Sequence, residues 1–476
     1  MSLFFHSALI FVTQWTSFIF GLDEPKFDFH PPVKIDMVLA ANFGELRKNH
    51  FHMGIDIKTN GKTGLKLYSI DEGYVSRIKI SPYGYGKVIY SDHPGGITSV
   101  YAHCEDFPEK ILKTIEEHQI QSKQNEIDLY LMPNALKVDR GEHIAFSGNT
   151  GHSFGPHLHF EIRDTQTEEA LNPLLYGFKV KDNMPPVVRY LKIYGLNEEG
   201  VPNGTEYETR IKGNASNFNL GTIVLPKKFV NSPKIGFALD CYDVYNGSSN
   251  KLGVYEFHLH LDSERIISSQ LERIPFETTR YINTYSDPYC RKTRQYHKLF
   301  YSDYNRLDVY KGKSNGAFAL NKVSDKKIEI SLKDVYGNGR AISFQVKTPE
   351  FKGKTEAKSY NLVHPDSTYI YETAIGRISL PQYLSYYPFS FQWTLSEGLA
   401  NISNPGILVQ EAYEVCLKSE ETDKSYLGYS EGNSYSNLYT TKTKNELSAQ
   451  LKEFGYVKIL TDSIAPEIRR LTRTRR

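Results

Sequence analysis

Two histidines in a strand-like segment are the strongest chemical signal in this sequence. They are His157 and His159, in the run G-P-H-L-H-F-E that begins at Gly155. Side chains on a strand alternate between its two faces, so both imidazoles point the same way. Neutral imidazole is a common zinc ligand, so this pair could place two rings around one ion. The spacing alone is a weak signal, because His258 and His260 share it and have no partner motif nearby.

A second group of candidate ligands lies upstream. His52 and Asp56 stand four residues apart around Gly54. On a straight strand they would be roughly 13 Å apart, too far for both to reach one ion at about 2 Å. The backbone must therefore bend between them, and Gly54 is the residue that permits the bend. We expect His52 and Asp56 to converge from either side of it.

The segments around these groups read as strands and tight turns. His103 ends the strand-like run that begins at Tyr101, and a glycine-rich turn at 147–151 leads into the strand of His157. Between them lies an insertion that predicts a helix with Asp106 as its N-cap and Ile111, Leu112 and Ile115 on its apolar face. Aromatic strand residues usually pack, but Tyr83, Tyr85 and Tyr101 could also line a substrate groove.

Together these motifs resemble those of the LytM/lysostaphin-type zinc metallopeptidases, which cut peptide cross-links in bacterial cell walls. The resemblance covers roughly residues 40–175. It implies that His52, Asp56 and His159 bind zinc. It also implies that His103 and His157 lie beside the metal-bound water. The departures are the inserted helix after His103 and Phe154 in the turn where the family often has Thr. The helix could reshape one wall of the substrate groove.

The chemistry of this residue set agrees with the resemblance. Two histidines and one carboxylate leave a fourth tetrahedral position open, as in catalytic zinc sites. Zinc lowers the pKa of bound water from 15.7 to about 7. His103 and His157 could then accept the water proton, stabilise the oxyanion or protonate the leaving amine, and the sequence leaves their division of labour open. Glu161, on the same strand face as His159, could orient a ligand.

Three functions are compatible with the sequence. The first is a zinc endopeptidase that cleaves peptide stems or cross-links of peptidoglycan. The second is a non-catalytic envelope scaffold or an activator of wall hydrolases, for which substituted ligands would be expected, and none is substituted. The third is a peptidase of secreted proteins. The 57 basic and 55 acidic residues give a formal charge of +2, which does not support a nucleic-acid binder.

Length and composition predict a mainly β protein with several domains. The chain has 476 residues, with 34 Tyr and 26 Phe that favour strands. We predict an antiparallel β-sheet peptidase domain followed by immunoglobulin-like β-sandwich domains. The predicted segments are a signal peptide or membrane anchor at 1–21, the zinc peptidase domain at 22–178, a β-sandwich at 187–346, a β-rich domain at 360–462, and a basic tail, possibly truncated, at 463–476.

The apolar leader predicts a periplasmic or secreted protein that could be membrane-anchored, with membrane contact only through this N-terminal segment. The sandwich domains would position the peptidase by binding wall polymer, envelope proteins or the peptidase domain itself. The four cysteines form no zinc-type pair, and a Cys241–Cys290 disulfide and buried free thiols both remain open.

Two segments of the second domain echo each other. Each is a strand that ends in Asp-Val-Tyr and an Asn/Gly turn, the first at Asp243 and the second at Asp334. Asp240 and Asp243 could bind calcium, although Asp at a turn more commonly accepts hydrogen bonds from backbone amides. His258 and His260 are predicted to be exposed strand residues that bind nothing, because the alternating apolar residues would face inward.

Overall fold

Strands account for 45% of the chain and helices for 9%, which confirms the mainly β fold that the sequence predicted. The computed structural model describes residues 27–463 apart from 134, 289–292, 351–360, 403, 405, 421–422 and 433. The predicted signal or anchor segment at 1–21, Cys290 and all of the predicted basic tail except Ser463 lie outside the described residues. Within the described residues, no helix combines the length and apolar character that crossing a bilayer requires.

One large sheet organises residues 27–178. Its elements are β1 (Leu39–Ala41), β2 (Ile55–Lys58), β3 (Lys66–Tyr68), β4 (Gly73–Ile80), β5 (Lys87–His93), β6 (Ile97–Cys104), α1 (Glu109–Ser122), β7 (Ile127–Tyr130), β8 (Lys137–Val138), β9 (His143–Phe146), β10 (His157–Asp164) and β11 (Ala170–Leu171), followed by a 3₁₀ turn at Pro173–Leu175. The strand order is β1-β2-β10-β6-β5-β4-β7, with β8 on β4 and β11 on β10, while β3 and β9 form a separate pair.

The strand β10 lies near the middle of this sheet and is covered on both faces. Leu158, Phe160 and Ile162 point into the hydrophobic core and are fully buried. Burying each such side chain stabilises the fold by roughly 1.5–3 kcal/mol. The opposite face carries His159 and Glu161, which are also buried. A strand held firmly on its apolar face can therefore keep polar side chains in fixed positions on the other.

The inserted helix begins later than predicted. The expectation that Asp106 is the N-cap was wrong, because the helix starts at Glu109 and Pro108 occupies the cap position without a side-chain hydrogen bond. Asp106 instead forms a bridge with Phe146 of β9. Ile111 and Ile115 pack into the core as expected. The following strand β7 pairs with β4, at the edge of the sheet opposite β1.

Residues 187–347 form two sheets that share one core. The elements are β12 (Val187–Leu196), β13 (Pro202–Arg210), β14 (Asn217–Val224), β15 (Lys234–Tyr242), β16 (Glu256–Leu261), β17 (Glu264–Gln270), β18 (Arg273–Ile274), α2 (Ile282–Tyr285), β19 (Tyr296–Lys298), β20 (Tyr310–Gly312), β21 (Phe318–Ala319), α3 (Leu320–Val323), β22 (Lys327–Lys333) and β23 (Gly339–Lys347), with 3₁₀ turns at Lys227–Asn231 and Phe276–Tyr281. One sheet has the order β13-β12-β15-β19 and the other β14-β23-β22-β16-β17-β20. The pair β14–β23 is parallel, whereas the other strand pairs of these two sheets are antiparallel.

Side chains from both sheets meet in this core, as in a β-sandwich. Leu191 and Phe237 come from one sheet, and Leu259 and Ile330 come from the other. The predicted inward direction of Phe257 and Leu259 is confirmed by their complete burial.

The histidine pair of β16 is not as open as we expected. His258 and His260 are half-buried rather than exposed, and His258 Nε2 lies 3.0 Å from Glu256 Oε1. In the described part of the chain, neither histidine belongs to a group of three candidate metal ligands.

The last domain is also β-rich and has its own core, which includes Val363, Val415 and Val457. Its strands are β24 (Leu362–Val363), β25 (Tyr369–Thr373), β26 (Gly376–Leu380), β27 (Phe389–Ser390), β28 (Thr394–Ser396), β29 (Leu399–Asn401), β30 (Tyr413–Lys418), β31 (Ser425–Ser430), β32 (Ser436–Asn437), β33 (Thr441–Lys442), β34 (Glu446–Leu451) and β35 (Tyr456–Thr461). The main sheets have the orders β25-β26-β30-β34-β33 and β28-β29-β35-β31-β32.

A further hydrophobic cluster joins the three parts of the chain. Phe51 and Met53 from the first part pack with Tyr281 and Tyr285 from the second and with Tyr386 from the third. The short strand β11 pairs with β10 on one side and with β18 on the other, so the first sheet continues into the sandwich. The sequence did not predict this contact, which places the sandwich directly against the segment that carries His52.

A buried histidine in the sandwich core should make the protein sensitive to acid. His297 is fully buried between the rings of Phe257 and Tyr285, and burial lowers its pKa to about 3. In the unfolded chain the pKa of a histidine is about 6.5. Below that pH the unfolded chain binds a proton that the buried His297 does not bind. The free energy of unfolding is therefore highest above about pH 6.5 and decreases as the pH falls. The expected loss is about 1.4 kcal/mol per pH unit below pH 6.

We expect His297→Phe to lose less stability than the wild type between pH 7 and pH 5, because it removes the titrating group. Denaturant unfolding at the two pH values measures the difference. The same substitution at the exposed His152 is the control and should leave the acid sensitivity unchanged. Equal acid sensitivity of wild type and His297→Phe would contradict this account.

Candidate metal centre

The three predicted metal ligands converge on one point. The Nε2 atom of His52 lies 3.1 Å from Oδ1 of Asp56 and 3.1 Å from Nδ1 of His159. The same Asp56 oxygen lies 2.9 Å from His159 Nδ1. All three side chains are largely buried. They form one of two such ligand groups among the described residues.

Strand register brings Asp56 and His159 together. The strands β2 and β10 are antiparallel neighbours, and Asp56 is the direct cross-strand partner of His159. Side chains of directly opposed residues point the same way, with Cβ atoms about 4.5–5.5 Å apart. His52 lies in the segment before β2. A bend at Gly54, between His52 and Asp56, lets its side chain reach the same point. The predicted convergence of His52 and Asp56 is therefore present.

The role of Gly54 differs in one respect from the prediction. Its backbone does not need the left-handed conformation that favours glycine. Instead, a Cβ atom at this position would lie 2.4 Å from the carbonyl oxygen of Phe160 and 2.8 Å from Cγ of Glu161. Any side chain would push β10 away, so glycine is required for close approach of the two segments.

The donor set fits a zinc ion. Zinc binds imidazole nitrogen and carboxylate oxygen at about 2.0–2.2 Å in tetrahedral sites, which places neighbouring ligand atoms roughly 3.3 Å apart. The three observed separations of 2.9–3.1 Å need only a small expansion to match it. Two nitrogens and one oxygen are also the donor types that zinc accepts, unlike the all-oxygen sets that calcium and magnesium prefer.

Hydrogen bonds fix the orientation of both imidazoles. The Nδ1–H of His52 donates to the carbonyl oxygen of Asn42 at 2.8 Å, which leaves the Nε2 lone pair facing the site. The Nε2–H of His159 donates to Oε1 of Glu161 at 2.8 Å, which leaves Nδ1 facing the site. Partners of this kind set the tautomer and the ring orientation of metal-binding histidines. The position proposed for Glu161 from the sequence is thus the one observed.

Glu161 is itself held by two further groups. The Arg163 guanidinium donates to Oε2 at 2.7 Å, and the hydroxyl of Tyr85 donates to Oε1. Glu161 is fully buried, which would raise its pKa, but Arg163 and His159 lower it to about 2. The carboxylate is therefore ionised at neutral pH and is a permanent acceptor for His159.

The charges around the three candidate ligands favour a bound cation. Burial alone would raise the pKa of Asp56, yet His52 and His159 hold it well below its usual range. Burial also disfavours the protonated form of His159, but Asp56 and Glu161 raise its pKa to about 9. Two buried carboxylates thus hold positive charge at the point where the three ligand atoms meet.

The two remaining histidines face each other beside this point. The ring centres of His103 and His157 are 4.9 Å apart, and Nε2 of His157 lies 3.5 Å from Oδ1 of Asp56. The Nδ1–H of His103 donates to the carbonyl oxygen of Thr150, and that of His157 donates to the carbonyl oxygen of Gly155, each at 2.8 Å. Both Nε2 atoms are therefore left as acceptors.

His103 adopts an unusual backbone conformation to reach this position. Its φ angle is +59°, in the left-handed region that non-glycine residues seldom occupy. Burial and the neighbouring His159 lower the pKa of His103 to about 4, so the imidazole is neutral at pH 7. A neutral imidazole with its Nε2 lone pair facing the site can accept a proton.

The surrounding aromatic residues have different roles from one another. Tyr101 is fully buried in the core and does not line a groove. Tyr85 is half-buried, and its hydroxyl is committed to Glu161. Tyr83 is 69% exposed, and Phe154, in the turn before β10, is completely exposed.

Several residues at the site escaped the sequence analysis. Arg163 shares a face of β10 with His157, His159 and Glu161, so the same two-residue period could have identified it. Asn42 acts through its backbone carbonyl, which no sequence pattern reveals. Arg47 comes from a loop whose course depends on tertiary contacts. Its Nη2 atom lies 3.6 Å from Oδ2 of Asp56.

The sandwich supports the segment that carries His52. The side-chain amide of Asn42 donates to the carbonyl oxygen of Gly253 and accepts from the Gly253 amide, at 2.8 and 2.7 Å. Thr279 Oγ1 accepts from the amide of Phe51 at 3.0 Å and contacts the sulfur of Met53 at 3.7 Å. Residues on both sides of His52 are therefore anchored by the second domain.

Comparison with known proteins relates part of the chain to a peptidase family. Residues 117–173, which include His157 and His159, match the sequence profile described as Peptidase family M23. This segment matches the M23 peptidases, as the motifs predicted. A segment of 145 residues is 27% identical to peptidoglycan DD-endopeptidase ShyB of Vibrio cholerae serotype O1, and the match covers 29% of this chain and 28% of that relative.

Solved structures of several bacterial proteins are similar to part of this chain. A mutant catalytic domain of the prophage-encoded M23 protein EnpA from Enterococcus faecalis is 23% identical, covers 31% of this chain and 98% of its own, and has a TM-score of 0.24. The lysostaphin catalytic domain from Staphylococcus simulans is 21% identical, with coverages of 29% and 90% and a TM-score of 0.21. A zinc-containing peptidase from Vibrio cholerae is 23% identical, with coverages of 32% and 39% and a TM-score of 0.23.

Removing the charge of Glu161 should weaken metal binding without removing a ligand. We expect Glu161→Gln to lower zinc affinity about 10- to 100-fold, because His159 loses its carboxylate partner. Competition with a zinc-binding dye measures the affinity. The control is Glu116→Gln, on the exposed side of α1, which should bind zinc as the wild type does. Unchanged affinity in a folded Glu161→Gln protein would show that this hydrogen bond does not tune the site.

Proposed function

We propose that this chain is a zinc-dependent endopeptidase that hydrolyses peptide bonds in the stems or cross-links of peptidoglycan. The observation that carries the proposal is the convergence of three ligand atoms within 2.9–3.1 Å, with two further imidazoles directed at the same point. The M23 family of the domain and the name of the Vibrio relative support the substrate class.

His52, Asp56 and His159 would hold the zinc ion. When bound, zinc would supply Lewis acidity and make a water molecule acidic enough to attack at neutral pH. With only three protein ligands, the ion would still be able to bind that water, unlike an ion in a closed structural site with four protein ligands. Asn42 and Glu161 keep the two imidazoles in the tautomers that binding requires.

His103 and His157 would manage the protons of the reaction. Each has its Nδ1–H committed to a backbone carbonyl, so only Nε2 can face the substrate. As a neutral imidazole, His103 can accept the water proton and later give it to the leaving amine. The positions of the two rings also allow one of them, once protonated, to donate to the oxyanion. Phe154 and Tyr83 offer exposed apolar surface for the peptide beside the site.

We further propose that the protein works outside the cytoplasm, in the periplasm or as a secreted enzyme that could be membrane-anchored, because its substrate lies there. Envelope proteins could bind through the C-terminal domains, while no feature calls for nucleic acid. A second candidate function is a non-catalytic scaffold or activator of wall hydrolases. The three candidate metal ligands and the two further histidines are all present and lie close together. This favours the enzyme over the scaffold.

Substitutions should separate the two kinds of histidine. His159→Ala should lose both zinc and activity, whereas His103→Ala and His157→Ala should retain zinc and lose about 10²–10⁴-fold in turnover. Zinc content by mass spectrometry and release of wall fragments measure the two properties. His258→Ala is the matched control and should change neither. A His159→Ala protein that still digests cell walls would overturn the metalloenzyme assignment, and a zinc-free wild type would favour the scaffold.

The fragments released from the wall should identify the reaction. Purified peptidoglycan incubated with the full chain should yield products that gain one water per broken peptide bond, and a chelator should abolish them. Mass spectrometry of the soluble fragments identifies the bond. Cleavage of unrelated secreted proteins, with intact peptidoglycan peptides, would instead support the third alternative, a peptidase of proteins.

A further inference from the structure

A second cluster of carboxylates lies away from the candidate zinc site. Asp182, Asp243 and Asp334 each place a carboxylate oxygen within 4.8 Å of the others. Asp182 belongs to the segment between the peptidase and the sandwich. Asp243 follows β15 and Asp334 follows β22, so these two come from different sheets of the sandwich. Both stand at the start of the repeated Asp-Val-Tyr turns noted in the sequence.

The cluster contains a buried carboxylate oxygen that nothing satisfies. Asp243 has no exposed surface, and its Oδ1 accepts from the amide of Val244 at 2.9 Å. Its Oδ2 has no hydrogen-bond partner among the described residues, and neither does the buried Oδ2 of Asp182. A buried charged oxygen without a partner is costly, so such atoms normally contact a cation or a donor.

No positive side chain balances these charges. Across the part of the chain that the structure describes, no lysine, arginine or histidine forms an ion pair with any of the three carboxylates. Asp240 differs, since Arg189 lies 2.7 Å from its Oδ1. Burial and the neighbouring carboxylates raise the pKa of Asp243 to about 9 and that of Asp182 to about 7.

Asp334 is the best-positioned member of the group. Its Oδ1 accepts from the amides of Tyr336 and Asn338, at 2.8 and 2.9 Å, and its Oδ2 accepts from the side chain of Asn338 at 2.7 Å. These bonds fix the carboxylate of Asp334 in place. Asp182 is only half-buried, so an ion can enter from its side of the cluster.

We infer that Asp182, Asp243 and Asp334 form a calcium site that fastens the interdomain segment to the two turns of the sandwich. Calcium takes oxygen ligands at 2.3–2.6 Å, so two oxygens on opposite sides of the ion are about 4.6–5.2 Å apart. Three carboxylate oxygens that all lie within 4.8 Å of one another can therefore share one such ion. Calcium also tolerates irregular geometry and accepts water at its remaining positions, which suits a site open on one side.

The site would complete a set of contacts that is already present. The amide of Val180 donates to the hydroxyl of Tyr336 at 3.0 Å, and the amide of Asn183 donates to the side chain of Asn246 at 3.1 Å. A bound ion would add an electrostatic contact between the same interdomain segment and the same two turns. Since Gly253, ten residues beyond Asp243, holds Asn42, the same junction also supports the segment of His52.

Calcium titration of the full, zinc-loaded chain tests the inference. Isothermal titration calorimetry of calcium-free protein should show one saturable site, with the dissociation constant at or below the millimolar range of extracellular modules. Saturating calcium should raise the melting temperature by several degrees, because it binds only the folded state. It should also slow hydrogen exchange in residues 178–187, because the ion would hold this segment to the sandwich. Magnesium alone should produce none of these effects.

Two variants separate the site from a general effect of the ion. Asp243→Asn and Asp182→Asn should each weaken calcium binding at least tenfold, because affinity depends on the number of charged ligands. Without calcium, Asp243→Asn should melt at or above the temperature of the wild type, since it removes repulsion within the cluster. Asp182 is near the surface, so its variant tests the site even if the buried substitution prevents folding.

Two controls complete the experiment. Asp262→Asn, in an exposed turn of the same sandwich, should bind calcium as the wild type does. His159→Ala should retain calcium binding, which distinguishes this site from the candidate zinc centre. A wild type with no saturable calcium site, a response to magnesium instead of calcium, or undiminished binding by both Asp243→Asn and Asp182→Asn would each overturn the inference.

Discussion

The antiparallel pairing of β2 with β10 is the constraint on which the candidate zinc site depends. It sets Asp56 directly opposite His159, and it places Glu161 one period further along the same face. A register shift of one residue would turn all polar side chains of β10 into the apolar core, so the buried Leu158 and Phe160 indirectly protect the site geometry. The tight approach at Gly54 then lets His52 reach the same point.

The sandwich has a structural role in this arrangement that differs from a simple attached binding module. Gly253 holds Asn42, whose carbonyl orients His52, and Thr279 contacts the residues on both sides of that histidine. The second domain therefore contacts the first domain directly, which is one of the three roles considered from the sequence for the C-terminal part. The position of a ligand in the first domain thus depends on packing with the second.

Sequence reasoning succeeded where a short-range pattern determines the geometry. The period of two along β10 identified His157, His159 and Glu161, and the spacing of His52 and Asp56 required the observed bend. It failed where long-range contacts decide. The start of α1 was misplaced because Asp106 pairs with Phe146 of a distant strand, and the parallel pair β14–β23 has no local signature. The convergence of Asp182, Asp243 and Asp334 likewise joins segments that are 61 and 91 residues apart.

Three candidate ligand atoms and one open position define the proposed zinc site. Zinc K-edge X-ray absorption spectroscopy of the purified chain tests that claim most directly. We expect two imidazole nitrogens and one carboxylate oxygen from the protein, with one further oxygen ligand that an added small inhibitor can replace. A site with four protein ligands, or a protein that does not retain zinc at neutral pH, would contradict it.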